Sequence, residues 1–421
     1  MVVARAHEGA ALLWIAMLAV GIAPESIAFV VLLVTSAVRM VVDPRAWDGY
    51  FQKARVLLPF AVFCMWAMCA ATWSSHEFLG SLKNAPLRPL FGLLAVVSAV
   101  RTPWPALLAL AGSSTVMLAI AAVKVLANPA LYGRYSEGFP GIVNSYSATC
   151  LITGALITGA ISAIIALQQR RFAAMACIPV IIAAIVLRAT GSRIGAVAAL
   201  IGTVISVASL MLSKRARRWR LVVALALIAA VGGGLFVKSA ASARLLPILH
   251  GTPDPQLKNQ PVDETAAFLT RIAGIRGQIW FVSLSLAGQR PIWGWGTTSW
   301  KHIYPAEVKR LEPMLGLKNP RDTRELSALP HAHNSFLHVL VEQGAIGLIL
   351  LCWLLAECWD VSSAVHDRFL RGVLLGLLGV WISNSTSRGI VKEVVPMVYL
   401  GLIAVTARVA TPLINPQSPK P

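Results

Sequence analysis

Three histidines lie close together in the sequence, at His331, His333 and His338, immediately before a long apolar run. Histidine titrates near neutral pH, so an imidazole here could accept a proton from a reacting group. The segment can also be a simple helix cap, in which Asn334 or Ser335 begins the helix. We expect no metal ion, because no cysteine or aspartate stands beside the histidines and their spacing separates them on a helix.

Arginines at two distant places in the sequence are candidates for binding an anion. Arg276 begins a segment that ends at Trp280, and Arg193 lies just inside an apolar run. A guanidinium group pairs with a phosphate through two parallel hydrogen bonds. The alternatives are an Arg276 side chain that snorkels above a lipid-facing helix and an Arg193 side chain that forms a structural ion pair.

Further cations fall in segments that we predict to lie on the same side of a membrane as Arg193. These cations are Arg134, Arg188, Arg388 and Lys392. Cations that converge on one face favour an anionic substrate, most simply a phosphate or a pyrophosphate. Glu342, which follows the histidines, could orient an imidazole ring.

The elements that must position these residues are predicted to be membrane-spanning helices. Of 421 residues, 57% are hydrophobic and only 13% are charged, and the mean hydropathy is +0.70. Soluble domains carry about 25% charged residues, so this chain would leave too much apolar surface in water. The basic residues behind the formal net charge of +19 cluster between apolar runs, which indicates orientation in a membrane rather than nucleic-acid binding.

A hydrocarbon core needs about 20 apolar residues per helix, and this criterion predicts about twelve spans. Basic short loops alternate with loops poorer in Lys and Arg, so the positive-inside rule puts both termini in the cytoplasm. The predicted spans are residues 10–23, 26–42, 56–74, 86–100, 104–126, 145–167, 172–188, 192–213, 220–237, 335–356, 370–386 and 393–410.

The predicted fold is an all-α polytopic membrane protein with one long, partly helical periplasmic loop. Residues 1–237 hold the first nine spans, residues 238–334 form the loop, and residues 335–421 hold the last three spans and a cytoplasmic tail. Structureless loops of this length are uncommon and usually functional.

Within the loop, the apolar spacing of residues 265–288 predicts one amphipathic helix. Residues 301–318 are typical of one or two short basic helices, and residues 321–324 of a turn.

At these motifs the chain resembles the O-antigen ligase and polymerase superfamily. The ligase pattern is a histidine and an asparagine, nine further residues, and then Gly-x-x-Gly. Here His333 and Asn334 precede Gly344 and Gly347 at that spacing.

Three other segments are similar to further motifs of the same superfamily. They are Arg276-x-x-x-Trp280 with Pro291-x-x-Gly294-x-Gly296, Ser192-Arg193-x-Gly195, and Arg134 with Gly138-Phe139 and Asn144. The motifs, the spans and the single large loop together cover nearly the whole chain.

The resemblance implies a ligase of lipopolysaccharide assembly in the bacterial inner membrane, with a fold similar to that of C-type glycosyltransferases. Such enzymes transfer preassembled O-antigen from undecaprenyl pyrophosphate to lipid A-core at the periplasmic face, by a metal-independent inverting mechanism. The implied partners are these two lipid-linked molecules and membrane lipid, with no cofactor, no nucleotide sugar and no nucleic acid.

The resemblance gives the candidate residues expected roles. His333, Arg276 and Arg193 are the expected catalytic residues: the histidine accepts the proton of the acceptor hydroxyl, and the arginines stabilise charge on the leaving pyrophosphate. The expected substrate-binding residues are Arg388, His338, His331, Asn334, Arg134 and Glu342.

The nearest alternatives differ in the acceptor. An O-antigen polymerase uses a carrier-linked acceptor, and a protein O-oligosaccharyltransferase uses a Ser or Thr of an exported protein. A transporter is an alternative from another class. Transporters tend to contain inverted repeats and broken helices, and the sequence indicates neither.

Overall fold

A computed structural model of the chain describes residues 2–17, 22–43, 56–74, 87–100, 102–128, 146–166, 170–190, 193–211, 261–329 and 331–384. In these residues the structure contains fourteen helices and no strand. The helices are α1 Val2–Met17, α2 Ile22–Val42, α3 Leu57–Ala71, α4 Leu87–Ala99, α5 Pro103–Ala127, α6 Tyr146–Ala166, α7 Arg170–Thr190, α8 Arg193–Met211, α9 Glu264–Ala273, α10 Ile275–Gln289, α11 Trp300–Arg310, α12 Pro320–Ser327, α13 Ser335–Ser363 and α14 Arg368–Asn384.

Ten predicted spans overlap a helix of the structure. The other two, residues 220–237 and 393–410, lie outside the described residues, so the count of twelve stays a prediction. By length and composition, α5 and α13 could each cross a membrane, and five shorter apolar helices accompany them in the described part.

The outer faces of the apolar helices carry large exposed hydrophobic side chains. Val34 on α2 is 57% exposed and Leu108 on α5 is 69% exposed, whereas Leu32 and Leu118 on the same helices are buried. Lipid is the solvent that suits such faces. The pattern agrees with a helical membrane protein.

A buried polar cluster joins α1, α2 and α4. Arg39 donates to His7 Nδ1 at 3.2 Å and to the carbonyl oxygen of Ser98 at 2.9 Å. His7 Nε2 lies 2.8 Å from the hydroxyl oxygen of Ser36. Arg39 and Ser98 stand in the last turns of α2 and α4, where helix dipoles favour a cation. His7 therefore lies inside α1, which begins eight residues before the predicted first span.

Small residues bring α6, α8 and α14 close together. A Cβ atom at Gly202 on α8 would lie 2.6 Å from the carbonyl oxygen of Gly376 on α14. The hydroxyl groups of Ser162 on α6 and Ser206 on α8 also contact each other. Close backbone approach and hydroxyl contacts are the usual means of helix association in membranes, and here they fix the helix that begins at Arg193.

The predicted single helix over residues 265–288 is two helices, α9 and α10. The side chain of Asp263 accepts a hydrogen bond from the backbone N–H of Ala266 and caps α9. Gly274 then ends α9 with φ of +62°, a conformation that costs glycine little. The apolar spacing continues across the break, which is why periodicity alone did not reveal it.

The turn predicted at residues 321–324 is also wrong, because these residues lie within α12. The side chain of Asn319 caps the helix by accepting from Arg321 N at 2.9 Å, and Pro320 occupies the first helical position, which suits proline. Arg321 and Glu325 pair across one turn. Of the predicted basic helices in residues 301–318, α11 covers the first part and turns follow it.

The loop helices enclose an apolar core of their own. Its buried members come from α9 to α12, from the segment after Leu311, from the histidine segment and from the start of α13. They are Ala266, Ile279, Val282, Leu286, Ala287, Trp300, Tyr304, Val308, Leu311, Leu315, Leu326, Ala332 and Val341. The region described from residue 261 is therefore a folded unit rather than an extended connection, and we call residues 261–334 the loop domain.

A buried carboxylate ties α10 to α11. Glu307 is 5% exposed and accepts hydrogen bonds from Ser285, Gln289 and Arg310. Burial opposes ionisation of Glu307, but the hydrogen bonds from these three side chains and the charge of Arg310 outweigh it and lower the pKa of the carboxyl group. Glu307 therefore stays ionised at neutral pH.

Candidate active site

The histidine segment enters α13 through an unusual backbone conformation. His333 has φ of +50°, which is uncommon for a residue with a side chain. Its backbone N–H donates to Nδ1 of His331 at 3.2 Å, and the two imidazole rings lie 4.2 Å apart between centroids. Asn334 then caps α13, because its Oδ1 accepts from the backbone N–H groups of Phe336 and Leu337.

The asparagine next to the candidate base is thus a helix cap, one of the two capping residues that the sequence allowed. A cap at this point fixes where α13 begins. It also fixes the direction in which the chain leaves His333. Asn334 therefore fixes the backbone next to His333, and His333 carries the imidazole that is the candidate base.

His338 and Glu342 form a pair one turn apart on α13. Glu342 Oε2 lies 3.6 Å from His338 Nε2, and Glu342 Oε1 accepts from the backbone N–H of Trp300 at 3.2 Å. Glu342 is only 6% exposed, and Trp300 packs against the His338 ring with centroids 5.4 Å apart. Glu342 faces His338 rather than His333, and it joins α13 to the first residue of α11.

Helix α13 is broken at Gly344, where φ is +69° and ψ is −169°. The break frees backbone groups that a turn of the loop domain and one tryptophan then satisfy. The hydrogen bonds are Trp295 N to Val341 O at 2.9 Å, Gly296 N to Glu342 O at 2.8 Å, Ala345 N to Pro291 O at 2.8 Å, Ile346 N to Ile292 O at 3.4 Å, and Trp66 Nε1 to Gln343 O at 3.1 Å. The sequence did not indicate this break in α13.

Gly294 and Gly344 allow the turn of the loop domain to fit against the break in α13, because their backbones meet directly. We call this contact the glycine interlock. A Cβ at Gly344 would lie 2.0 Å from the carbonyl oxygen of Ile292, and one at Gly294 would lie 2.5 Å from Gly344 N. Both glycines also have positive φ. The Pro-x-x-Gly-x-Gly and Gly-x-x-Gly motifs, remote in sequence, are the two halves of one contact.

The same turn docks onto the end of α3. Thr297 donates through its hydroxyl to the carbonyl oxygen of Ala67 at 2.6 Å, and a Cβ at Gly296 would lie 2.6 Å from Ser74 Cα. Trp293 lies 5.7 Å from Trp66 between ring centroids. The loop domain is therefore held on the bundle at α3 and at α13.

Arg276 lies in the first turn of α10, which packs against α13. The next residue, Gly277, crosses α9 so closely that a Cβ would lie 2.1 Å from Leu269 O. This contact fixes the start of α10 and with it the backbone position of Arg276. Arg290, at the other end of the helix, is stacked on Trp295 with its guanidinium carbon 4.3 Å from the ring centroid.

Arg193 is the first residue of α8. This agrees with its predicted place at the N-terminal end of the eighth span. Its side chain, and with it the predicted meeting with Arg276 and His333, is outside the described part. Arg134 and Arg388 lie wholly outside the described residues. Their expected roles stay predictions.

Within the described residues no group of three or more His, Cys, Asp or Glu side chains is arranged to hold a metal ion. The site also contains residues that the sequence did not single out. Trp300 contacts both His338 and Glu342, and Trp66 contacts the broken helix. Neither stands near the histidines in the sequence, so spacing carried no signal for them.

Residues 178–352 match the family described as O-antigen ligase. This match supports an assignment to the O-antigen ligase family. The matched segment runs from α7 into α13 and contains Arg193, Arg276 and His333. No curated protein matches the chain.

The match to the O-antigen ligase family supports a membrane protein with glycosyltransferase-like activity of the ligase or polymerase type in general. The family in general acts on polysaccharide or lipid-linked substrates. The matched segment contains both halves of the glycine interlock and the strained histidine.

Proposed function

We propose that the protein is an O-antigen ligase that transfers preassembled O-antigen from undecaprenyl pyrophosphate to lipid A-core at the periplasmic face of the inner membrane. The observation that carries the proposal is a histidine at positive φ, inside a segment of the ligase family. Backbone strain concentrates at functional sites, where surrounding contacts maintain it. A helix cap alone gives no reason for a histidine at this position.

In the proposed reaction, a sugar hydroxyl of lipid A-core attacks the anomeric carbon of the O-antigen. The new carbon–oxygen bond forms as the bond to the pyrophosphate breaks on the opposite side, which inverts the configuration. His333 accepts the hydroxyl proton, and undecaprenyl pyrophosphate leaves with the bonding electron pair. No metal ion or cofactor takes part in this scheme.

Arg276 and Arg193 stabilise the negative charge that develops on the pyrophosphate. The position of Arg276 at the start of a rigidly packed helix suits this role, because catalytic cations act best when they need no reorganisation. Arg134 and Arg388 are proposed to contact the phosphates of the same lipid carrier. His338 and Asn334 are proposed to line the site beside His333.

The test uses the purified full-length chain reconstituted in lipid vesicles with rough lipopolysaccharide and a carrier-linked glycan. The ligase produces a ladder of glycosylated lipopolysaccharide. His333→Ala and Arg276→Ala fold but lose at least about 100-fold in rate, as expected for a proton acceptor or a charge-stabilising group. His302→Ala, at an exposed position of α11, is the matched control and keeps the wild-type rate.

Other products would overturn the proposal. Growth of the glycan on its carrier would identify a polymerase, and glycan on an added exported protein would identify an oligosaccharyltransferase. Movement of the carrier-linked glycan across the membrane without a product would identify a transporter. Unchanged transfer by His333→Ala would remove this residue from the base role.

A further inference from the structure

We propose that His331 is a positioning residue that holds His333 in its left-handed backbone conformation. The inference deepens the proposed function, since it concerns how the proposed base is presented. It gives His331 a different role from the substrate binding expected from the sequence. It rests on one hydrogen bond, one ring contact and the strain of one residue.

The hydrogen bond runs from the side chain of one residue to the backbone two residues later. Nδ1 of His331 accepts from the N–H of His333 at 3.2 Å. Between them, Ala332 is fully buried in the core of the loop domain. Asn and Asp make the same kind of bond in Asx turns, where the side chain replaces a backbone acceptor. Here an imidazole does so.

The bond opposes a specific cost. A left-handed conformation costs a residue with a Cβ atom about 1–2 kcal/mol, and His333 has φ of +50°. Just after it, Asn334 caps α13 with its side chain. The backbone on both sides of His333 is thus held by side chains that accept from backbone N–H groups, and this fixes the position from which its imidazole extends.

The geometry also defines the chemical form of His331. A nitrogen that accepts a hydrogen bond carries no proton, so the His331 ring is neutral with its proton on Nε2. The rings of His331 and His333 meet nearly edge to face, at 62°. The imidazole of His331 therefore accepts a hydrogen bond and packs against the ring of His333, and neither role requires contact with substrate.

Two variants separate the acceptor from the ring. His331→Asn keeps a side-chain acceptor that can bond the N–H two residues later, whereas His331→Phe keeps an aromatic ring and loses the acceptor. We expect kcat of His331→Phe to fall by about 100-fold with KM nearly unchanged, as for a misplaced catalytic group. His331→Asn restores most of the lost rate. Equal losses in both variants, or none in His331→Phe, would overturn the proposal.

A second measurement does not depend on activity. In protein labelled with ¹⁵N in its histidine rings, we expect a neutral ring with Nδ1 unprotonated at neutral pH, whose signals vanish in His331→Asn. A His331 ring protonated on Nδ1 would overturn the inference even if transfer is normal. Failure of the wild type to glycosylate lipopolysaccharide would instead contradict the proposed function and leave this spectrum to decide on His331.

Discussion

At the scale of the residue, the backbone of His333 is in a region that glycine enters freely and asparagine easily. A histidine there lowers stability relative to either of them. The surrounding contacts are strong enough to hold it: the bond to His331, the Asn334 cap and the buried Ala332. Such a combination is typical of a side chain kept for its chemistry.

We predict that His333→Gly is more stable than His333→Ala by about 1 kcal/mol, because only glycine is relieved of the left-handed strain. Both variants lack the imidazole, so both lose glycan transfer. Thermal unfolding of the two variants in the same detergent, together with the ladder assay, checks the pair.

A glycine variant less stable than the alanine variant would contradict the positive φ of His333. Activity in either variant would show that the imidazole is dispensable.

Glu342 joins several parts of the candidate site, and its expected role in substrate binding stays a prediction. Its side chain contacts His338 and the N–H of Trp300, and its carbonyl oxygen accepts from Gly296. Both carboxylate oxygens thus have partners within the protein. Glu342 links the bundle to the loop domain at two points, Trp300 and Gly296.

At the scale of the element, α13 consists of two helical segments that meet at Gly344. The inner segment, residues 345–363, is about 28 Å long at 1.5 Å per residue and could cross a hydrocarbon core alone. The outer segment packs on both sides: Val339 joins the bundle core and Val341 joins the loop-domain core. A buried break in a helix is stable only when protein groups satisfy the freed backbone N–H and C=O groups.

We predict that Gly344→Ala and Gly294→Ala each destabilise the protein by at least about 2 kcal/mol. An added Cβ meets backbone that cannot move away, and positive φ adds strain. Gly288→Ala is the control: it lies on α10 with open space around it, so alanine should stabilise the protein by about 0.5–1 kcal/mol. Thermal unfolding in detergent measures all three.

If Gly344→Ala unfolds at the wild-type temperature, the interlock does not exist in solution. If Gly288→Ala is as unstable as the other two, the effect is not specific to the interlock.

The Glu307 network makes the attachment of α10 to α11 sensitive to acid. The pKa of Glu307 is lower in the folded state than its ordinary value, so its stabilisation is complete above the ordinary value. It is lost as pH falls through that value towards the lowered one. At neutral pH we predict that the free energy of unfolding of Glu307→Gln is about 1–3 kcal/mol lower than that of the wild type, the usual loss for hydrogen bonds to a charged group.

The difference in the free energy of unfolding between wild type and Glu307→Gln should therefore shrink as the pH is lowered below the ordinary pKa of a glutamate. Thermal unfolding of both proteins across a pH series measures this difference. A gap that stays constant or widens in acid would contradict the charged network.

At the scale of the whole molecule, contacts join helix ends that the charge pattern assigns to the same side. His7, Arg39 and Ser98 meet at ends predicted to be cytoplasmic. Trp104 and Phe369 stack at 5.4 Å, also at ends predicted to be cytoplasmic. The loop domain docks at the opposite ends of α3 and α13.

We predict that Lys301→Cys, introduced into a cysteine-free background, reacts with a membrane-impermeant maleimide in intact spheroplasts. His366→Cys should react only after permeabilisation, because it lies in the short connection before α14, which the charge pattern predicts to be cytoplasmic. Both positions are exposed in the structure, so access to the reagent depends on the membrane alone. The reverse labelling pattern would invert the proposed orientation.

The sequence by itself determined the all-helical class and the approximate positions of most of the described helices, and it predicted the segments of the candidate site. It could do so because a span needs a continuous apolar run and because the motifs are local. It also indicated the cap at Asn334, since capping depends on neighbouring residues.

Only the tertiary structure decided which remote groups meet. The division at Gly274, the break at Gly344, the inclusion of His7 in α1 and the pairing of Glu342 with His338 all depend on partners far along the chain. Hydropathy and periodicity measure the average character of a window, whereas a buried polar group or a backbone break is stable only where a specific partner satisfies it. That partner is known only once the chain has folded.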